Sequence, residues 1–246
     1  MFYAKSTPKE TIAEHTTLLL QGMAQIKALY GSRIEGVDDR FWEMLEFAIR
    51  FHDTGKANVL FQNKLRKARG EALLPTSLSP EQEIPHNYLS IALVPFKQVD
   101  YSQDEWRLLV DAIGFHHERD KQPNQTDIEH FFNKSGMKNQ VKAIYEHLLL
   151  NYDPEEKPSA RLLNLLEKNR EKTSQKLREQ PSFFKRHVLL KGLLHRLDHA
   201  ASAHVEVERG AEESAGEKAR DFLLQSYELR PAQEFAAQHG DRHLIM

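Results

Sequence analysis

The sequence contains no cysteine. That excludes disulfides, zinc-thiolate sites and cysteine nucleophiles, and leaves histidine, carboxylates, hydroxyls and lysine to carry any chemistry. No apolar run approaches the roughly 20 residues needed to span a bilayer, and the N-terminus lacks the charged-then-apolar pattern of a secretory signal. No membrane partner is therefore expected, and the expected location is cytoplasmic. A charge excess is missing too: 34 basic against 36 acidic side chains give a net charge of -2. This argues against a globally basic nucleic-acid binder and leaves room for a local basic patch only. No Gly-x-x-x-x-Gly-Lys-Ser/Thr stretch occurs, so ATP hydrolysis is not expected of this chain. What is present is 246 residues, 40% hydrophobic and 28% charged, with 13 histidines. Such a chain is long enough for one sizeable core, or for a domain and the start of another.

The chemistry is densest at Phe51-His52-Asp53-Thr54-Gly55-Lys56. The helix leading into it reads Phe41, Leu45, Ala48, Ile49 and His52 along one face, and Gly55 suits the left-handed position that ends a helix. His52 offers an imidazole nitrogen and Asp53 two carboxylate oxygens, so the pair can hold a divalent cation while the carboxylate bridges to a second. Adjacent helical residues point about 100° apart, so other segments must close the coordination shell.

Other apolar faces lead to ligand types as well. Thr7-Pro8-Lys9-Glu10 has the form of a capping box with proline at the first helical position, so the first helix is expected to start there. Its buried side is marked by Ile12, Leu19 and Ile26 with Ala13, Met23 and Tyr30, and it turns His15 inward. A third helix is expected from Pro85, with His86 in its first turn. A fourth follows the capping box Ser102 to Glu105, and its face of Trp106, Leu109, Val110 and Ile113 ends at His116 and His117. Beyond a polar loop over 120–127 and the core pair Phe131-Phe132, a fifth helix over about 135–151 buries Met137, Val141, Ile144 and Leu148. His147 is read as structural or exposed. Residues 158–180 read as helix, Leu-rich and then charged. A last core helix over 182–204 carries Phe183, Phe184, Val188, Leu190, Leu194, Leu197 and Ala201, with Asp198 among them. An unpartnered carboxylate in so apolar a helix costs on the order of several kcal/mol, and a metal ion is the partner that best removes the penalty. His195 and His199 flank it and are not placed among the ligands. Between the second and third helices, Lys64, Arg66, Lys67 and Arg69 form either a solvated helix face or a strip of phosphate contacts. Together these patterns predict an all-α domain in which several helices converge on one metal pocket.

The ordered set of His15, His52-Asp53 with Gly55-Lys56, His86, His116-His117 and a distal Asp198 resembles the HD superfamily of metal-dependent phosphohydrolases. The run His-Asp-x-Gly-Lys leading to Phe61-Gln62, the spacing of His86 and Ser90, the histidine doublet and the stretch Gly192 to Ser202 are similar to the HD nuclease domain of the CRISPR-associated type I nuclease-helicase. The resemblance covers about residues 1–205. It implies two divalent ions, one held by His15, His52, Asp53 and Asp198 and one by Asp53, His86, His116 and His117, with Asp53 bridging. Lys56 would neutralise a phosphate oxygen as charge develops. A mixed imidazole and carboxylate shell suits manganese, iron, cobalt or nickel, and suits magnesium poorly in its histidine-rich half. The implied substrate is single-stranded DNA, with Lys64, Arg66, Lys67 and Arg69 as candidate nucleic-acid contacts. The implied partners are a helicase domain in cis or in trans and an RNA-guided surveillance complex.

After a linker beginning near Glu206, Leu229-Arg230-Pro231-Ala232-Gln233-Glu234-Phe235 looks like the glutamine motif that precedes the nucleotide-binding loop of a superfamily 2 helicase. Residues 206–246 are thus expected to be a linker and the start of a truncated helicase-like segment; an ordinary docking helix with a frayed end fits these residues equally. Two other functions use the same residues. An HD phosphohydrolase acting on nucleotides or cyclic dinucleotides would need the same ligands, and a non-catalytic module docking on the surveillance complex would tolerate a vestigial site.

Overall fold

The structure, a computed structural model, describes residues 1–208 apart from 32, 118–122 and 156, with backbone alone at 169–171. The chain divides into two units, Met1–Val207 and Glu208–Met246. The expected helicase-like segment lies outside the described residues, as do the linker beyond Glu208 and part of the expected loop over 120–127.

The first unit begins with strands β1 (Tyr3–Lys5) and β2 (Glu10–Thr11), paired antiparallel with Tyr3 opposite Thr11 and Lys5 opposite Glu10. This corrects the expected start of the first helix. The chain contains two consecutive Thr-x-x-Glu patterns, and the second one caps the helix: Thr11 accepts from the Glu14 N–H, and Glu14 reaches back to the Thr11 N–H at 2.7 Å. Thr7 and Pro8 lie in the hairpin connection, and the Glu10 carboxylate is engaged by Lys5 at 3.0 Å instead of by Thr7. Helix α1 then runs Ile12–Tyr30. Ile12, His15, Leu19 and Ile26 are buried, but Ala13 and Met23, off that stripe, are only half-buried and Tyr30, in the last turn, is exposed.

Helix α2 (Asp39–Phe51) is followed by a 3-10 turn at Thr54–Ala57, and α3 (Val59–Ala68) by α4 (His86–Ala92). Helix α5 (Gln103–Gly114) carries the Ser102–Glu105 capping box. Next come α6 (Gln125–Lys134), α7 (Met137–His147), α8 (Ala160–Glu179) and α9 (Pro181–Ala203). Helix α6 occupies part of the expected polar loop. Asn124 caps it, and its apolar face is just Ile128, Phe131 and Phe132, too short a stripe to betray a helical period. Helix α7 is shorter at both ends than expected, entered through Gly136 in the left-handed region at φ 74°.

Helix α9 packs against α1, α2, α5 and α8 and is the axis of the bundle. Phe183, Leu190, Leu194, Leu197 and Ala201 form its buried stripe, whereas Phe184 and Val188, expected in the core, share the opposite face and are 51% and 48% exposed. Its rotation is fixed by polar contacts with α5, where Asp111 accepts from His187 Nε2 at 2.7 Å and from Lys191 Nζ at 3.3 Å. That rotation sets Asp198 beside Leu194 and Leu197 on the inward side.

Gly55 has a different reason for being glycine than the left-handed cap expected of it. It lies inside the 3-10 turn without a positive φ, and a Cβ there would sit 2.0 Å from the His86 carbonyl oxygen and 2.8 Å from the Ser90 nitrogen. Backbone therefore touches backbone where α4 crosses the turn. Ser90 seals the crossing: its Oγ accepts from the Gly55 N–H at 2.9 Å and lies 2.7 Å from the His52 carbonyl oxygen. Gly55→Ala is expected to cost at least about 1–3 kcal/mol through overpacking against backbone that cannot yield. Ser90→Ala is expected to cost about 1–3 kcal/mol by stranding the Gly55 N–H. Denaturant unfolding of the two variants checks this; parental stability in Gly55→Ala would contradict the close approach.

Candidate metal centre

The centre is assembled from five places in the chain. His15 comes from α1, His52 caps the C-terminus of α2, and Asp53 follows at the entrance to the 3-10 turn. His86 opens α4, His116 and His117 follow the end of α5, and Asp198 comes from α9. All are buried except His117, which is half-buried.

Asp53 occupies the middle, and its two oxygens face different ligand sets. Oδ1 lies 3.3 Å from His86 Nε2 and 3.7 Å from His116 Nε2. Oδ2 lies 3.5 Å from His52 Nε2 and 3.7 Å from His15 Nε2, and it accepts from Lys56 Nζ at 2.6 Å. Asp198 Oδ1 closes the second side, 2.9 Å from His15 Nε2 and 3.9 Å from His52 Nε2. The His117 ring lies 4.3 Å from that of His116 and 5.2 Å from that of His86, centroid to centroid. Two groups of ligand atoms thus form, each within 4.8 Å: His86, His116 and His117, and His15, His52 and Asp53.

The local structure chooses which nitrogen each imidazole presents. His52 Nδ1 donates to the Ile49 carbonyl at 2.8 Å, and His116 Nδ1 donates to the Ile113 carbonyl at 2.7 Å. A carbonyl can only accept, so the proton sits on Nδ1 and the Nε2 lone pair points into the pocket. His52 Nε2, His86 Nε2, His116 Nε2 and Asp53 Oδ1 are buried without a hydrogen bond. Four converging acceptor atoms left unsatisfied in a core are costly by themselves and fit a divalent cation.

Ionisation supports the same use. Burial opposes charge on Asp53, yet the Lys56 ammonium and the surrounding histidines hold its carboxyl well below the usual range. Asp198 is also lowered: burial opposes its charge, but the close approach of the His15 and His52 rings outweighs it. His52 is the exception: burial works to lower it, but the carboxylates of Asp53 and Asp198 raise it on balance, so a cation there would displace a favoured proton. Burial pushes His86 down to about 4, against the pull of Asp53. Burial together with the charges of His116 and His86 pushes His117 down to about 3. His86 and His117 are therefore neutral near pH 7, the form in which imidazole binds metal.

Lys56 is held at the centre by its neighbours. Its carbonyl accepts from Gln62 Nε2 at 2.8 Å, and Asn58 Nδ2 donates to the Gly55 carbonyl at 2.8 Å. The basic strip is placed differently. Lys64 pairs with Glu83, Arg66 lies 3.7 Å from Glu71 and Arg69 donates to Glu71 at 2.8 Å, while Lys67 is exposed. The guanidinium groups of Arg66 and Arg69 also lie over the Tyr3 ring. Glu71 and Glu83 thus offset much of a charge run that reads as free cations in the sequence. His147 packs edge-on against Phe2, and the His195 and His199 rings stack on each other at 6.3 Å.

Two supporting residues had been missed. Glu10, read as a helix cap, is buried with Oε1 3.4 Å from His15 Nδ1. Asn87, which had carried no signal, donates from Nδ2 to the Gly114 carbonyl and ties the start of α4 to the end of α5, where His86 and His116 arise.

A helical core in which an adjacent His-Asp pair gathers further histidines and a distal aspartate is the arrangement of an HD domain. The family described as "Cas3, HD domain" matches residues 11–205, and the chain belongs to that family, the HD domains of CRISPR-associated nucleases. No curated protein and no solved structure matches the chain. Among the described residues, no helix is long and apolar enough to cross a membrane.

An ion that binds the folded chain alone stabilises it by about 2.7 kcal/mol at a free concentration 100 times Kd. For a domain of this size, that raises Tm by about 5–10 °C. Thermal unfolding of the chelator-stripped chain with and without manganese checks this; superimposable curves would count against a metal pocket.

Proposed function

We propose that this chain is a metal-dependent nuclease that hydrolyses phosphodiester bonds of single-stranded DNA in CRISPR interference. In this reading it works with a superfamily 2 helicase in cis or in trans and an RNA-guided surveillance complex, and the HD nuclease domain spans about residues 1–205. The observation that carries the reading is the division of labour at Asp53, whose two oxygens face two imidazole sets. One ion would be held by His15, His52, Asp53 and Asp198, and the other by Asp53, His86, His116 and His117. Manganese, iron, cobalt or nickel suits so many imidazoles, and magnesium suits them poorly. When bound, the cations lower the pKa of water and offset charge on the attacking and leaving oxygens.

The chain's own groups do the rest. Asp53 spans both sets and keeps its charge because Lys56 and the histidines favour the carboxylate. Lys56, 12% exposed in its side chain, sits at the centre and offsets charge that develops on a phosphate oxygen. His52 and His116 keep their protons on Nδ1, bonded to backbone, so neither imidazole has to change tautomer to present Nε2. A DNA backbone would have to compete with Glu71 and Glu83 for Lys64, Arg66 and Arg69, which leaves exposed Lys67 as the strip's readiest phosphate contact.

Asp53→Ala is expected to abolish cleavage, because both ligand sets lose their shared oxygen donor. Lys56→Ala is expected to keep its metal content and lose about 100-fold to 1,000-fold in rate, the usual cost of one electrostatic donor. The assay offers circular and linear single-stranded DNA, mononucleotides and cyclic dinucleotides with each metal in turn. Hydrolysis of free or cyclic nucleotides with no cutting of either strand form would replace this reading with that of a nucleotide phosphohydrolase. Wild-type cutting by Asp53→Ala would end the two-ion account.

A further inference from the structure

His15 differs from the other anchored histidines of the pocket. His52 and His116 fix their Nδ1 protons on backbone carbonyls of their own helices, whereas His15 has a carboxylate at each end of its ring. Asp198 Oδ1 stands 2.9 Å from Nε2, and Glu10 Oε1 stands 3.4 Å from Nδ1. If the proton sits on Nε2, that nitrogen is a donor to Asp198 and has no lone pair for a cation. If it sits on Nδ1, Nε2 is free to ligate.

Glu10 Oε1 and His15 Nδ1 are both buried, face each other and have no other partner among the described residues. Glu10 is 3% exposed in strand β2, and Lys5 Nζ, opposite it in β1, pairs with Oε2 at 3.0 Å. The same Lys5 ammonium donates to the Ser202 carbonyl of α9 at 2.9 Å, and Ser202 Oγ lies 3.4 Å from Asp198 Oδ1. The hairpin thus joins Glu10, His15 and the helix of Asp198 in one polar chain. A buried carboxylate is expensive unless partnered, and the contact with Lys5 holds this one in place. Glu10 lies one residue before the span matched by the family, residues 11–205.

We infer that Glu10 is a positioning residue for the metal centre: by facing His15 Nδ1 it holds the ring proton there, so that Nε2 is offered toward Asp53 and Asp198. The inference deepens the metal-site reading and rests on it. It predicts an asymmetric defect. Glu10 touches the His15 side alone, while on the other side His116 is anchored on the Ile113 carbonyl.

The test is a manganese titration of the chelator-stripped full chain, wild type beside Glu10→Ala and Glu10→Gln, followed by calorimetry and by the electron paramagnetic resonance of free manganese. Glu10→Ala should weaken one of the two ions by about 10-fold to 100-fold, the usual effect of losing the group that orients a ligating histidine, with the other ion changed much less. Glu10→Gln, which keeps an acceptor oxygen, should restore most of that affinity. Both ions are read in the same folded molecule, so the ratio of their affinities is insensitive to a general loss of stability. Equal weakening of both ions, or a Glu10→Ala chain that binds both as tightly as wild type, overturns the inference while leaving the metal centre standing. A wild-type chain that takes up no manganese overturns the metal centre and this inference with it.

Discussion

The structure depends on one carboxylate buried where a carboxylate has no place unless cations or donors surround it. Asp53 is 1% exposed, in a unit whose neighbouring helices bring Phe51, Ile49 and Leu89 into the core. Its charge is tolerable because Lys56 bonds to Oδ2 and four imidazoles stand within 3.7 Å of its two oxygens. Removing any single partner leaves a buried charge under-compensated, and this ties four separate segments to one point. Helices α1, α2, α4, α5 and α9 meet as they do because each must deliver a side chain to the same pocket.

That demand explains features with no role in packing alone. Helix α4 must come close enough to the turn after Asp53 for His86 to reach Oδ1, and the approach is so tight that no Cβ fits at Gly55. Ser90 and Asn87 then fix α4 to the turn and to the end of α5, so His86 and His116 arrive with a set relation to each other. On the far side, the ion pairs of Asp111 with His187 and Lys191 hold the rotation of α9, and with it the direction of Asp198. These contacts are polar bolts in an otherwise apolar bundle, and each bears on the orientation of a pocket side chain carried by the same helix.

The side chains that converge in the pocket were legible in the sequence because of how the chain carries them. His52, His86, His116 and Asp198 terminate or interrupt apolar stripes, and a polar group at such a position must meet another one inside the core. The supporting groups were not legible, because their roles come from contacts between segments far apart in the chain. Thr7-x-x-Glu10 satisfies the rule for a helix cap as well as Thr11-x-x-Glu14 does, and only the pairing of Glu10 with Lys5 across the hairpin shows that it faces His15. Gly55 fits a left-handed cap on local grounds and is used for close approach instead. Helix α6 is not legible beyond its core pair Phe131-Phe132, because three apolar residues in ten do not make a period. Lys64, Arg66 and Arg69 read as a free basic strip because Glu71 and Glu83 reach them only after the chain has folded back.

The central claim is that Asp53 joins two ligand sets through its two oxygens. Its most direct test is the low-temperature electron paramagnetic resonance spectrum of the chelator-stripped chain reloaded with manganese, read together with elemental analysis. The account predicts two manganese ions per chain, with a spectrum showing magnetic exchange between them through a shared carboxylate. One manganese per chain with an uncoupled six-line signal, or two ions showing no coupling, would contradict it.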